Sequence, residues 1–244
     1  MSQPAGAHAV EQNLGRIEAA QDRLAGTAAA LSDQQAGEPS LLPGWTRGHV
    51  LTHIARNADG LRNLLIWAQT GVETPQYASR DERDAQIEAG AGRTAAELAA
   101  DLASSAEAFL AQARDLSSDA WDVPVQAMRG PAHPAWFTLH RRLTEVEVHH
   151  VDLAAGYAPP DWPAWFVTDL LYQVTGGIAE HADAPAVTVT DSASGRQYWL
   201  RQDARSDREI TGPGPELLAW LLGRSGGSAL VADPQGPLPD IPPF

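Results

Sequence analysis

Four stretches of the chain repeat apolar side chains at the period of an α-helix, and the repetition stops at a run of prolines. In the first, Val10, Leu14, Ile17, Leu24, Ala28 and Leu31 recur about every 3.5 residues, which predicts an amphipathic helix over roughly 9–32. Thr46 is a good N-cap for a second helix reaching about Thr70, with Val50, Ile54, Leu61 and Leu65 facing inward and Gly71 as its stop. Residues 71–93 are rich in charge and glycine, with room for a short helix at 81–89. Leu98, Leu102, Ala106, Phe109 and Ala113 mark a third long helix, and Leu139, Leu143, Val146 and Leu153 a fourth over about 135–156. Four such helices bury their apolar faces most simply as a bundle.

Tyr157-Ala158-Pro159-Pro160-Asp161-Trp162-Pro163 breaks that pattern, because proline removes helical donors and restricts the residue before it. Beyond it the period changes. Trp165–Ala179 reads as helix, Ala186–Thr190, Arg196–Leu200 and Asp207–Thr211 as short strands, and Pro215 to about Arg224 as a last helix. A proline-rich tail from Pro234 reads as extended. The expected class is α+β, mainly α: a four-helix bundle over residues 1–157 and a small α+β domain over 158–244.

Seventeen Lys plus Arg against thirty-one Asp plus Glu give a formal charge of −14, so neither nucleic acid nor an anionic membrane is expected as a partner. An anionic substrate would need a local arginine or a metal. There is no cysteine, which excludes disulfides, thiolate metal sites and a protein-borne sulfur nucleophile. Met1–Val10 has neither a basic start nor an apolar run, and no later segment approaches the ~18 apolar residues of a membrane span, so the cytoplasm is the expected location.

On the fourth helix Glu145 and His149 are four residues apart and share a face, and His53 on the second helix would complete a two-nitrogen, one-oxygen triad with an open coordination position. A carboxylate and an imidazole at that depth need either a cation or a tight hydrogen-bonded ion pair. Taken alone, Glu-x-x-x-His is also a common helix-surface pair. Zinc fits the donor set best, and Fe(II), Ni or Co could also be held. Glu147 and His150 form a competing Glu-x-x-His pair, but the second such motif of a di-iron bundle is missing, which leaves them on the flank. His49, in the first turn after Thr46, suits a structural hydrogen bond. Asp152 could orient His149 or could be a solvated face residue. His8, His133, His140 and His181 fall in tail, loop or terminal settings.

The segment Leu41-Leu-Pro-Gly-Trp-Thr-Arg-Gly-His-Val-Leu-Thr-His53, its continuation through Asn57-Ala58, Trp67-Ala-Gln-Thr-Gly71, Glu73-Thr-Pro75 and Tyr77, and the later Glu145-x-x-x-His149-x-x-Asp152-Leu153 resemble the mycothiol-dependent maleylpyruvate isomerase family of the DinB-like metalloenzyme superfamily. The likeness runs over nearly the whole chain. It implies a DinB-like bundle carrying zinc on His53, Glu145 and His149, and a catalytic arginine in the C-terminal domain. Gly223-Arg224-Ser225-Gly226 occupies the place of that arginine, so Arg224 is the expected anion-binding residue, with Arg83 second to it; arginine is also favoured at a helix C-terminus for purely structural reasons.

The implied reaction adds an external thiol, mycothiol or another small thiol, to maleylpyruvate, allows rotation, and expels the thiol to leave fumarylpyruvate, a step of gentisate-type aromatic breakdown. A cysteine-free chain suits a borrowed thiol, and the resemblance places the site in the cleft between bundle and second domain. Two other activities fit the same triad: a thiol S-transferase that conjugates an electrophile, and a non-catalytic metal-binding bundle. Loops 71–93 and 121–137 are the expected substrate-binding segments.

Overall fold

The computed structural model describes residues 7–201 and 208–242; the strand start expected at Asp207 and the side chain of His8 lie outside the described residues. The chain divides into two compact units, Met1–Gly156 and Tyr157–Phe244. In the first, the long helices are α1 (Ala7–Ala29), α3 (Arg47–Thr70), α5 (Ala95–Asp115) and α6 (Phe137–Asp152), with the short α2 (Asp33–Ala36) and α4 (Arg80–Ala91) between them. Helix α3 packs on α5 and α6, and α1 packs on the same two, so the four close into a ring around Ile17, Leu24, Ile54, Leu61, Leu65, Phe109, Leu139 and Val146.

Local chemistry sets the helix ends. Thr46 caps α3 by accepting from the His49 amide, and the His49 Nδ1 accepts from the Thr46 amide, so histidine occupies the capping-box position usual for Glu or Gln. Gly71 closes α3 at φ 70°, a left-handed conformation that costs glycine little. Thr94 caps α5 with Glu97 in the reciprocal role. Helix α6 stops at Asp152, short of the expected 156, because Ala154 turns to φ 51° and the Arg47 guanidinium takes the Leu153 and Ala154 carbonyls at 2.7 and 3.1 Å. Helix α1 likewise ends at Ala29, three residues early, and Ser32 then opens the capping box of α2. A two-stranded ribbon, β1 (Pro124–Val125) with β2 (His133–Pro134), precedes α6.

The second unit holds α7 (Ala164–Ala179), α8 (Gly214–Leu221) and a sheet of β3 (Thr188–Asp191), β4 (Gln197–Trp199), β5 (Glu209–Gly212) and β6 (Val231–Asp233) in the order β4-β3-β5-β6. Strands β3 and β5 are parallel, with Val189 opposite Ile210, and the outer pairs are antiparallel. Val189, Ile210, Leu217 and Leu218 are fully buried. Strand β6 was not expected; it is three residues long and lacks a buried side chain, so it carries no apolar alternation to read. The architecture is mainly helical with one small sheet, and no described helix is long and apolar enough to cross a membrane.

Candidate metal centre

His53 projects from the middle of α3, and Glu145 and His149 project one turn apart from the facing side of α6. Their donor atoms converge: His53 Nε2 lies 3.0 Å from Glu145 Oε2 and 3.1 Å from His149 Nε2, and His149 Nε2 lies 3.3 Å from Glu145 Oε2. Among the described residues they are the one cluster of three groups able to hold a metal ion. A tetrahedral zinc ion with ligands at 2.0–2.1 Å requires donor separations of about 3.3 Å, so the three atoms form a face of near the right size. His53 is almost enclosed, while the Glu145 and His149 side chains keep 30% and 16% of their exposure and line a cavity of about 590 Å³.

Asp152 is wholly buried, and its Oδ2 lies 2.8 Å from His149 Nδ1. That contact places a proton on Nδ1 and turns the Nε2 lone pair toward the cluster, the arrangement that orients metal-bound imidazoles. Burial disfavours charge on His149, but the carboxylates of Asp152 and Glu145 outweigh it and raise the pKa to about 9. Burial likewise penalises the Glu145 carboxylate, yet hydrogen bonds and charge from His149 and His53 hold it well below its ordinary value. His53 moves down, chiefly through desolvation, with His149 and Arg83 adding to the fall against the pull of Glu145. The cluster therefore favours one positive charge beside the buried Asp152 and the half-buried Glu145 carboxylates, and a divalent cation meets the same field.

Arginines define the rest of the cavity. Arg80, Arg83, Arg129 and Arg141 line it with Trp45, Gln76, Tyr77 and Met128, so the two loops expected to hold substrate, 71–93 and 121–137, do contribute to its wall. All seventeen basic residues of this acidic chain are arginines, and four of them gather here. Arg83 Nη2 sits 3.1 Å from His53 Nδ1, and its other terminal nitrogen pairs with Asp84 at 2.6 Å. The hydroxyl of the half-buried Tyr77 is pushed up to about 12 by desolvation and by the nearby Glu145.

The other expected residues have their own surroundings. Arg224 belongs to the second unit, just beyond α8, where its Nη1 donates to the Leu222 carbonyl at 2.7 Å and it lines a cavity of that unit with Trp220, Leu238 and Pro242. His49 makes the capping contact and lies 3.4 Å from Glu88. Glu147 and His150 are not on the flank: both are buried against α1, Glu147 pairing with Arg23 at 2.5 Å and His150 with Thr27 at 2.7 Å. Helix α6 packs on α1 as well as α3, so it buries two faces where a single apolar stripe exposes one. Asp152 orients His149 and is not solvated. Arg141 precedes Glu145 by four residues, the spacing that links Glu145 to His149, and so shares their face of α6; His133 on β2 has no comparable pattern.

A family model described as the mycothiol maleylpyruvate isomerase N-terminal domain matches residues 17–154. The chain is also similar to the crystal structures of the mycothiol-dependent maleylpyruvate isomerase and of a histidine-to-alanine mutant of that enzyme. TM-scores are 0.90 and 0.89; in each case identity is 27%, and 96% of this chain aligns with 97% of the other. No curated protein matches in sequence.

Proposed function

The chain belongs to the family of the mycothiol maleylpyruvate isomerase N-terminal domain, and from that premise we propose that it is a cis–trans isomerase that converts maleylpyruvate to fumarylpyruvate with mycothiol as an external thiol. The observation that carries the reading is the convergence of His53, Glu145 and His149 donor atoms within 3.0–3.3 Å on the wall of an arginine-lined cavity. We assign these three residues to a divalent metal, zinc by choice of donors.

Zinc held there would offer an open position to a thiol and lower its pKa, as metals do for coordinating sulfur. The protein's own contribution is orientation and charge. Asp152 fixes the ring of His149, Trp45 packs edge-on against His53 at 5.6 Å between ring centroids, and the arginines supply a positive wall for a dicarboxylate. In the reaction the thiolate forms a C–S bond to the alkene and the displaced electron pair becomes an enolate. Rotation about the resulting single bond is followed by the reverse step, which returns the thiol unchanged. Because the chain has no cysteine, that thiol comes from solution. Arg224 is proposed to bind a substrate carboxylate or the enolate oxygen, where stabilisation of developing charge contributes most. We place the reaction in gentisate-type aromatic breakdown and the protein in the cytoplasm.

The test is proton NMR of maleylpyruvate incubated with zinc-loaded protein, without thiol, with mycothiol and with glutathione. Fumarylpyruvate should accumulate only with a thiol, and the thiol concentration should stay constant. Isomerisation without thiol contradicts the reading, and consumption of thiol into a stable adduct would make the protein an S-transferase.

A further inference from the structure

Among the described residues, the hydrogen-bond partners of the cavity arginine Arg141 are all uncharged, and Glu145 acts on it only through space. Arg141 stands on α6 one turn before Glu145. Its Nε donates to His133 Nε2 at 3.1 Å, its Nη2 donates to the Arg129 carbonyl at 3.1 Å, and its guanidinium lies 5.7 Å from the Phe137 ring centroid. No ion pair and no hydrogen-bond partner of Nη1 is found for it among the described residues. Several arginines of the first unit do pair with a carboxylate: Arg47 with Glu38, Arg56 and Arg93 with Asp101, and Arg83, in the same cavity, with Asp84.

His133 is built to hold Arg141 without cancelling its charge. Only 9% of it is exposed, and its Nδ1 lies 3.0 Å from the Pro134 carbonyl, which can only accept, so Nδ1 carries the proton. The Nε2 lone pair is then available to the Arg141 Nε–H, and desolvation, with Arg141 beside it, holds the ring below its ordinary pKa and neutral. Gly130, at φ 85°, brings the 129–130 backbone against the guanidinium; a Cβ there would stand 3.2 Å from Arg141 Nη2. Two neutral acceptors thus fix the plane of a guanidinium on the cavity wall, the preorganisation a bidentate carboxylate contact requires.

We propose that Arg141 binds one carboxylate of the dicarboxylate substrate in the cavity of the metal cluster, and that His133 is its positioning residue. The assignment rests on the proposed function for the identity of the substrate, and it adds to Arg224 a carboxylate site within the first unit.

The test measures maleate binding by calorimetry and maleylpyruvate kinetics on zinc-loaded wild type, Arg141→Ala, Arg141→Lys, His133→Ala and His133→Gln, each checked for equal metal content. Arg141→Ala should weaken maleate binding and raise KM by about 10–100-fold, the range of a charged hydrogen-bonded contact, with a smaller change in kcat. Arg141→Lys, which keeps the charge and loses the fork, should recover only part. His133→Ala should raise KM several-fold, and His133→Gln, whose amide oxygen can accept from Nε, should restore it. Unchanged maleate affinity and KM in Arg141→Ala overturns the carboxylate site. Failure of His133→Gln to recover what His133→Ala loses overturns the positioning role. A wild type that binds maleate through Arg141 but does not turn over maleylpyruvate would refute the proposed function and leave the carboxylate site standing.

Discussion

A guanidinium with no exposed surface lies inside the helical unit. Arg142 donates from Nε to Gln21 at 3.0 Å and from Nη1 to the Ile54 carbonyl and Asn57 Oδ1 at 2.9 and 3.1 Å, facing the Phe109 ring. Burial pulls its pKa down to about 10. Arg142→Ala should cost about 3 kcal/mol of stability by urea unfolding, because it opens a cavity and strands the Gln21 and Asn57 oxygens; Arg142→Met should cost less, since a buried charge is itself expensive. At the cluster, Asp152→Asn should lower zinc affinity by about 10–100-fold in competition with a chelator while leaving the three ligands in place. The triad was legible because four-residue spacing puts Glu145 and His149 on one face and His53 sits on the helix that faces it. The same spacing places Arg141 on that face. Glu147 and His150 were misplaced because α6 buries two faces, and the pattern of one helix does not say how many neighbours it has.

At the scale of elements, α4 must lie close to α3 for Arg80 and Arg83 to reach the cavity. Gly48 permits it: a Cβ there would meet the Ala91 carbonyl oxygen at 2.2 Å, and at Gly60 a Cβ would meet the Gln76 carbonyl oxygen at 2.8 Å. Gly48→Ala should therefore destabilise the protein by roughly 1–3 kcal/mol in thermal unfolding. It should also raise KM more than it lowers zinc content, since it displaces α4 and not the ligands. Such close approaches cannot be read from periodicity, which locates α3 and α4 but not the distance between them. Helix starts were legible where Thr46 and Thr94 cap them, and the end of α6 was not, because the residue that caps it, Arg47, is 106 positions away.

For the molecule as a whole, charge sets how stability depends on pH. His149 rises from an ordinary 6.5 to about 9 in the folded metal-free protein, so its stabilising contribution is full below about 6.5 and is lost as pH climbs toward 9. Glu145 falls well below 4.5, so its contribution is present above about 4.5 and is lost on acidification. His53 falls below 6.5, so its contribution is present above about 6.5 and is lost on acidification, and the urea midpoint of metal-free protein should accordingly be highest near pH 6.5. Zinc should flatten the alkaline fall, because the cation replaces the proton that His149 loses. The central claim, that the three side chains hold a metal which receives a thiol, is tested most directly by calorimetric titration of mycothiol in buffers of different ionisation enthalpy. Zinc-loaded wild type should bind the thiol and release about one proton per site, whereas metal-stripped protein and His53→Ala should do neither. Equal thiol binding and proton release with and without metal would contradict it.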